Sequence, residues 1–168
     1  MEQPAVTILN ANRIMAISTV RPDGWPQTTI VGYANRGFEL VFMIFPSGQK
    51  FANIEKDDRI SIAVCPEPKD IHELQAVYAA AHASQITDAA ERQAAWRLLM
   101  ERHSNLSGFN VPDQSEAVFM KAKCVYVSVL DFTQGIGHRE QLVIDEHGIA
   151  VEAEAAKDEW ADRAPPGN

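Results

Sequence analysis

The sequence predicts a mainly β (α+β) domain, an antiparallel barrel with flanking helices. Three observations point there. The first half is a succession of short apolar runs that alternate every second residue. Tight turns separate those runs, where parallel strands would need crossovers of about a dozen residues. Only Asp88–Ser104 carries firm helical periodicity. At 168 residues and 46% hydrophobic content, the chain is long enough and apolar enough for one core.

The elements follow in order. In Arg13–Val20, Ile14, Ala16, Ser18 and Val20 alternate with Met15, Ile17 and Thr19, both sets fairly apolar, as in a strand covered on two sides. Pro22-Asp23-Gly24 is a turn, because proline presets φ and glycine accepts φ > 0. Pro26–Ala34 resumes as a strand rich in β-branched residues, and Asn35-Arg36-Gly37 turns again. Phe38–Ile44 follows, with Phe38, Leu40, Phe42 and Ile44 on one face. Pro46 and Ser47 end it, and Ser47 is the expected N-cap of a short helix running to about Asp57, with Phe51 and Ile54 facing the core.

Arg59–Cys65 alternates cleanly, and Pro66-Glu67-Pro68 stops it. Residues 76–86 are ambiguous: their alanines favour helix, while Val77, Tyr78, His82 and Ser84 allow strand. Asp88 and Glu91 form a capping pattern for the main helix, which places Trp96, Leu99, Met100 and His103 on one face. Ser104–Asp113 reads as a loop. Ala117–Phe132 is a long strand with Val118, Met120, Ala122, Cys124 and Tyr126 on one face, the length expected of a curved barrel wall. Gln134–Gly137 is a loop, and Leu142–Ile144 and Ile149–Val151 form a hairpin.

Charge narrows the partners. The formal net charge is −8, and residues 140–168 hold eight acids against one lysine and one arginine. The body is near neutral and carries no basic stripe, so nucleic acid and anionic membrane are poor partners. Residues 1–151 are expected to form the domain and 152–168 a solvated acidic tail, in which Trp160 is the sole large apolar residue. No apolar run reaches membrane-spanning length, and Met1–Pro4 lacks the basic start of a signal peptide. Cys65 and Cys124 sit in apolar, alternating segments and read as buried free thiols of a cytoplasmic protein.

Familiar catalytic signatures are missing. There is no phosphate-binding loop, no metalloprotease histidine pair and no Cys-x-x-Cys; the five histidines are scattered, so no metal site is expected. The informative stretch is Phe42–Ile54. A helix N-terminus offers unpaired N–H donors and partial positive charge. Ser47 adds a hydroxyl, Gly48 a close approach, Gln49 an amide and Lys50 a full charge, which together suit a monophosphate. The same residues also read as an ordinary Ser-capped helix with an exposed lysine.

The order of four stretches resembles the pyridoxamine 5′-phosphate oxidase-like family of FMN-binding split barrels. They are Ile14–Gly24, Pro26–Val31, Ser47–Ile54 and Asp58–Val64, and the resemblance covers about residues 10–133. It implies an antiparallel split barrel that forms a homodimer with FMN held between subunits. It places Lys50 on the FMN phosphate, Gln49 where the family often has arginine, and Ser47 in the same loop. It sets Thr28, Thr29, Ile30 and Val31 beside the flavin ring and Ile44 at a ring- or ribityl-contacting position. It also implies that Gln75 opens the following strand and reaches the flavin, which favours strand for residues 76–86. The oxidases' own vitamin-phosphate residues are not reproduced at Gly135–Arg139 or around Arg97–Phe109, so oxidation of pyridoxamine phosphate is not expected.

His138 is read either as an exposed loop residue or as an active-site residue closing over the flavin. The resemblance thus implies an FMN-dependent oxidoreductase acting on a small molecule by hydride transfer; the sequence requires no acid or base, and His138, or Tyr33 if it faces the pocket, could serve as one. The alternatives are a flavin- or haem-binding module on the same barrel, or a reductase using the deazaflavin F420.

Overall fold

A computed structural model describes residues 3–152 of the chain. It begins with a short helix, α1 (Pro4–Ala11), which the sequence reading did not anticipate, and continues with β1 (Ile14–Val20), β2 (Pro26–Arg36) and β3 (Glu39–Ile44). Helix α2 (Gln49–Lys56), β4 (Arg59–Val64) and β5 (Gln75–Gln85) follow, then α3 (Ala89–Arg102), β6 (Val118–Asp131), β7 (Arg139–Ile144) and β8 (Ala150–Glu152). All neighbouring strands are antiparallel. The order β3-β2-β1-β4-β5-β6 closes where β6 pairs back onto β3, giving a six-stranded barrel, and β7 and β8 extend the sheet beyond β6.

Strand β6 explains the split. Its first part, Val118–Lys123, pairs with β3, and its second part, Tyr126–Leu130, pairs along the same edge with β7. Between the two, the register against β5 shifts after Ala80/Ala81, so Val125 bulges. The bulge exchanges the faces. Met120, Ala122 and Cys124 point into the core before it, and Val127 and Val129 after it. Tyr126, expected in the inward series, therefore lies on the other face.

Alternation does the rest. Met15 and Ile17, Leu40, Phe42 and Ile44, and Ile60, Ile62 and Val64 fill the interior. The alanines of β5 prove to be strand residues: Ala79, Ala81 and Ala83 face inward, and their small side chains leave room for α1 and α2, which both pack against β5. Helix α1 contributes Ala5, Ile8 and Leu9 to the core. Tyr33 is fully buried and donates its hydroxyl to the Leu9 carbonyl at 2.8 Å, tying α1 to β2; burial pushes its phenol up to about 12. Full burial each of a Leu or Phe is worth about 1.5–3 kcal/mol, so this lumen dominates stability.

A second cluster lies outside the barrel. Trp96 and Leu99 of α3 pack with Ile86 on Ala34, Val41 and Phe119, Trp96 meeting Phe119 edge-on at 6.3 Å. The Asp88 carboxylate caps α3 by accepting the Glu91 N–H at 2.8 Å, as its sequence pattern predicted. Three further expectations need correction or fall outside the structure. Ser47 does not cap α2; the N-cap is Gly48, without a side-chain bond. Cys65 is exposed, because β4 ends at Val64 before the proline stop, whereas Cys124 is buried. The acidic tail, with Trp160, lies outside the described residues apart from the backbone of Glu152 in β8.

Candidate functional site

The segment between β3 and α2 is built on a close approach. The Gly48 N–H donates to the Phe45 carbonyl at 3.0 Å, and a Cβ at Gly48 would lie 3.2 Å from that same oxygen. Helix α2 then starts with the N–H groups of Gln49 and Lys50, which make no backbone bond among the described residues. Lys50 is half-buried, its ammonium pushed below the ordinary value by that burial, and it makes no ion pair or hydrogen bond within the described chain. Ser47 is exposed at the same corner.

Gln49 behaves differently from its expected role. Its amide donates to Asn53 Oδ1 at 2.8 Å, and fully buried Asn53 donates in turn to Thr19 Oγ1 at 2.9 Å and Gln27 Oε1 at 3.0 Å. This network stitches α2 to β1 and β2. Gln49 therefore holds the helix in place, and Asn53 is the structural residue that the sequence reading passed over. Its signal was a polar residue beside Ile54 on the inward helix face, four positions after Gln49.

The same stitch brings α2 to Gln27, the residue that precedes Thr28–Val31. Strand β2 pairs with β1 over Pro26–Gly32 and with β3 only over Tyr33–Arg36, so one edge of its first half is open. The bonds from the Arg21 N–H to the Trp25 carbonyl and from the Tyr33 N–H to the Arg13 carbonyl fix the phase of the ladder. Antiparallel alternation then turns the peptide groups of Thr28 and Ile30 toward the open edge. Their side chains are exposed; Thr28 and Ser18 share a hydroxyl bond of 2.7 Å. Thr29 Oγ1 points the other way and is buried without a partner. A buried hydroxyl left unpaired costs about 1–3 kcal/mol, which a ligand atom would recover.

Gln75 and His138 form a separate corner. Gln75 is paired in register with Asp131 and bonds its carboxylate, which also accepts from the Thr133 N–H and hydroxyl and from Gln134 Nε2. Burial raises the Asp131 carboxyl, but these hydrogen bonds outweigh it and the net shift is downward. His138 is half-buried; its carbonyl accepts the Asp131 N–H, and its Nε2 lies 3.4 Å from Glu140 Oε1. Tyr33 does not face a pocket and cannot serve as acid or base. Ile44 pairs with Val118, the first residue of the 14-residue strand β6, and Gln75 pairs with Asp131, the last. The two groups of candidate residues are therefore separated, roughly 40 Å apart along that strand at ~3.3 Å per residue.

The outer face of the sheet between them is open and apolar. Ile14, Ile30, Tyr78 and Val143 are each about half exposed or more (51%, 66%, 45% and 49%), around a floor of Ala16, Ser61, Ala63 and Ala80.

Residues 1–131 match the family described as pyridoxamine 5′-phosphate oxidase. The chain belongs to the pyridoxamine 5′-phosphate oxidase family. No curated protein matches it. Among solved structures, a haem-binding protein from Mycobacterium smegmatis superposes with a TM-score of 0.71 at 20% identity, over 83% of this chain and 56% of that one. This chain thus spans little more than half of that relative. An FAD-binding protein from Mesorhizobium loti gives 0.60 at 20% identity, over 74% of this chain and 90% of that one. An F420 reductase gives 0.60 at 20% identity, over 76% and 98%. At these identities the likenesses show the split-barrel fold of the pyridoxamine 5′-phosphate oxidase family. Among the described residues no helix is long and apolar enough to cross a membrane, and no group of His, Cys, Asp or Glu is placed to hold a metal.

Proposed function

We propose that the protein binds FMN between two copies of itself and acts as a flavin-dependent oxidoreductase on a small molecule. The observation that carries this reading is Lys50: a half-buried ammonium without an anion partner, at a helix N-terminus, beside the open edge of β2. A phosphate there would receive the Lys50 charge, the first N–H groups of α2 and the Ser47 hydroxyl. The peptide groups of Thr28 and Ile30 would hydrogen-bond the ring system at its polar edge, Thr29 Oγ1 would gain the partner it lacks, and half-buried Val31 would supply apolar contact, whereas Ile44 is committed to the barrel interior. When bound, the flavin supplies two-electron chemistry at its ring; the protein orients it and excludes water.

The second copy belongs to the reading because the two groups of candidate residues are separated within one chain. An isologous pairing through the Tyr78 and Val143 side of this face would bury that part of the surface and leave its Ile14–Ile30 end open. It would also set Gln75 of the partner subunit and His138 of the partner subunit against the Lys50 corner. His138, close to Glu140, would then be the group able to hold or move a proton beside the ring. Haem, FAD and F420 are named for structural neighbours, and the single Lys50 charge at the helix N-terminus favours FMN among them. Two free cysteines, one of them exposed, are in keeping with a cytoplasmic setting.

The test is the absorbance spectrum of the purified protein followed by FMN titration. A flavin spectrum and a Kd raised about 10- to 150-fold by Lys50→Ala are expected, the range for losing hydrogen bonds to a charged group. An unchanged Kd, or a Soret band in place of the flavin bands, overturns the assignment.

A further inference from the structure

A cavity lies at the N-terminal end of β1. It measures about 770 Å³ and opens beside the start of β1, between the α1–β1 link, β2, the end of β4 and the end of α3. Ile14, Ile30 and Pro66 supply apolar wall, Cys65 the rim, and Arg13 and Arg102 the charge. No aspartate or glutamate lines it. In a chain of net charge −8, a cavity with two arginines and no acid is an electrostatic exception.

The two arginines differ in what they can do. Arg102 is fixed: its Nη1 donates to the carbonyls of Leu9, Asn10 and Asn12 at 3.0, 2.8 and 2.7 Å, and its Nη2 to Asn35 Oδ1 at 3.1 Å. It closes the end of α1 and contributes a standing positive field. Arg13 is exposed, and its guanidinium makes no hydrogen bond or ion pair among the described residues. A guanidinium with five free donors is a fork for a carboxylate or phosphate.

We infer that this cavity takes an organic anion, a carboxylate or phosphate carried on an apolar body, with Arg13 binding the oxyanion and Ile14 and Ile30 the body. Its role as the substrate pocket rests on the flavin reading, because Ile30 is the residue shared with the strand beside the ring. Binding itself does not depend on that reading. The volume falls within the ~300–1,000 Å³ usual for small-ligand sites.

The experiment uses benzoate and phenyl phosphate as probes and benzamide as the neutral control, titrated calorimetrically into the full-length protein with and without FMN. Both anions should bind and benzamide should bind far more weakly. Arg13→Gln should weaken the anions about tenfold, the lower end for a charge-assisted bond. Iodoacetamide alkylation of exposed Cys65 supplies a second readout: benzoate should slow it in the wild type and not in Arg13→Gln. Tighter phenyl phosphate marks a phosphate ester as the class, and tighter benzoate a carboxylate. Equal binding of benzamide, an unchanged affinity in Arg13→Gln, or an unprotected Cys65 overturns the inference. So does displacement of FMN by phenyl phosphate, which would make this the cofactor's own phosphate site. Failure of the flavin reading shows separately, as no FMN binding to the wild type.

Discussion

Replacing Asn53 by leucine should destabilise the protein by about 2–4 kcal/mol, and the structure says where that loss comes from. Asn53 is fully buried and joins three partners: it accepts from Gln49 and donates to Thr19 and Gln27. Leucine keeps the volume and removes all three bonds. Gln49 is exposed and Gln27 half-buried, so both can turn to water at small cost. Thr19 is 2% exposed and cannot, so its stranded hydroxyl carries about 1–3 kcal/mol of the total, with the lost bonds adding about 1 kcal/mol. At ~2–4 °C per kcal/mol for a domain of this size, Tm should fall by roughly 4–16 °C. The decisive assay is a comparison of thermal melts and urea curves for Asn53→Leu and for Asn53→Leu combined with Thr19→Val. Removing both partners of a buried bond is much cheaper than removing one, so the double variant should regain about half the loss. A single variant within ~0.5 kcal/mol of wild type, or a double variant no better than the single, refutes the reasoning.

Three other outcomes are expected. Gly32→Ala places a Cβ 2.9 Å from His103 Cε1, whose ring is held by a 2.9 Å bond to the Tyr33 carbonyl, and overpacking of about 1–3 kcal/mol should appear as a lowered urea midpoint. Ala63→Arg puts a long charged chain in the middle of the small-residue floor on the outer face; light scattering should then show a monomer with weakened FMN binding, and a dimer that still forms would place the seam elsewhere. Asp131 has a depressed folded pKa, so its contribution is present above the ordinary carboxylate value of 3.8 and lost as pH falls through the lower folded one. Acid unfolding of Asp131→Asn should therefore be less steep below about pH 4 than that of the wild type, and parallel curves would contradict the shift.

The strands that make the barrel were legible because each carries a period-two pattern closed by a turn with a mechanism, as at Pro22-Asp23-Gly24, where Gly24 adopts φ 86°. Asp88 announced α3 through its capping pattern. Other elements gave weaker signals. Helix α1 has only two turns and no side-chain cap at Gln3, and its two cues, Pro4 in the first turn and Ala5, Ile8 and Leu9 at helical spacing, went unread. The bulge at Val125 depends on how β6 is shared between β3 and β7, a tertiary fact, and Tyr126 was misplaced for that reason. Of the candidate site, Lys50, Ser47 and Thr28–Val31 could be placed by motif order. Gln49 turned out to be occupied by Asn53, and Arg13 could not be singled out without the cavity beside it.

Strand β6 is a mast that flies two flags from one edge. The closed barrel hangs on its first half and the β7–β8 flap on its second, and no hydrogen-bonded ladder joins β3 to β7. The flap can therefore detach without opening the ring, as a cooperative unit of its own. Amides of Leu142 and Ile144 should exchange with solvent deuterium ahead of those of β1 and β4, through openings that cost the burial of these two side chains and keep the six-stranded ring paired. Because the flap begins at Arg139, each such opening frees the chain directly beside His138 and lets the loop on which that histidine sits take a new shape.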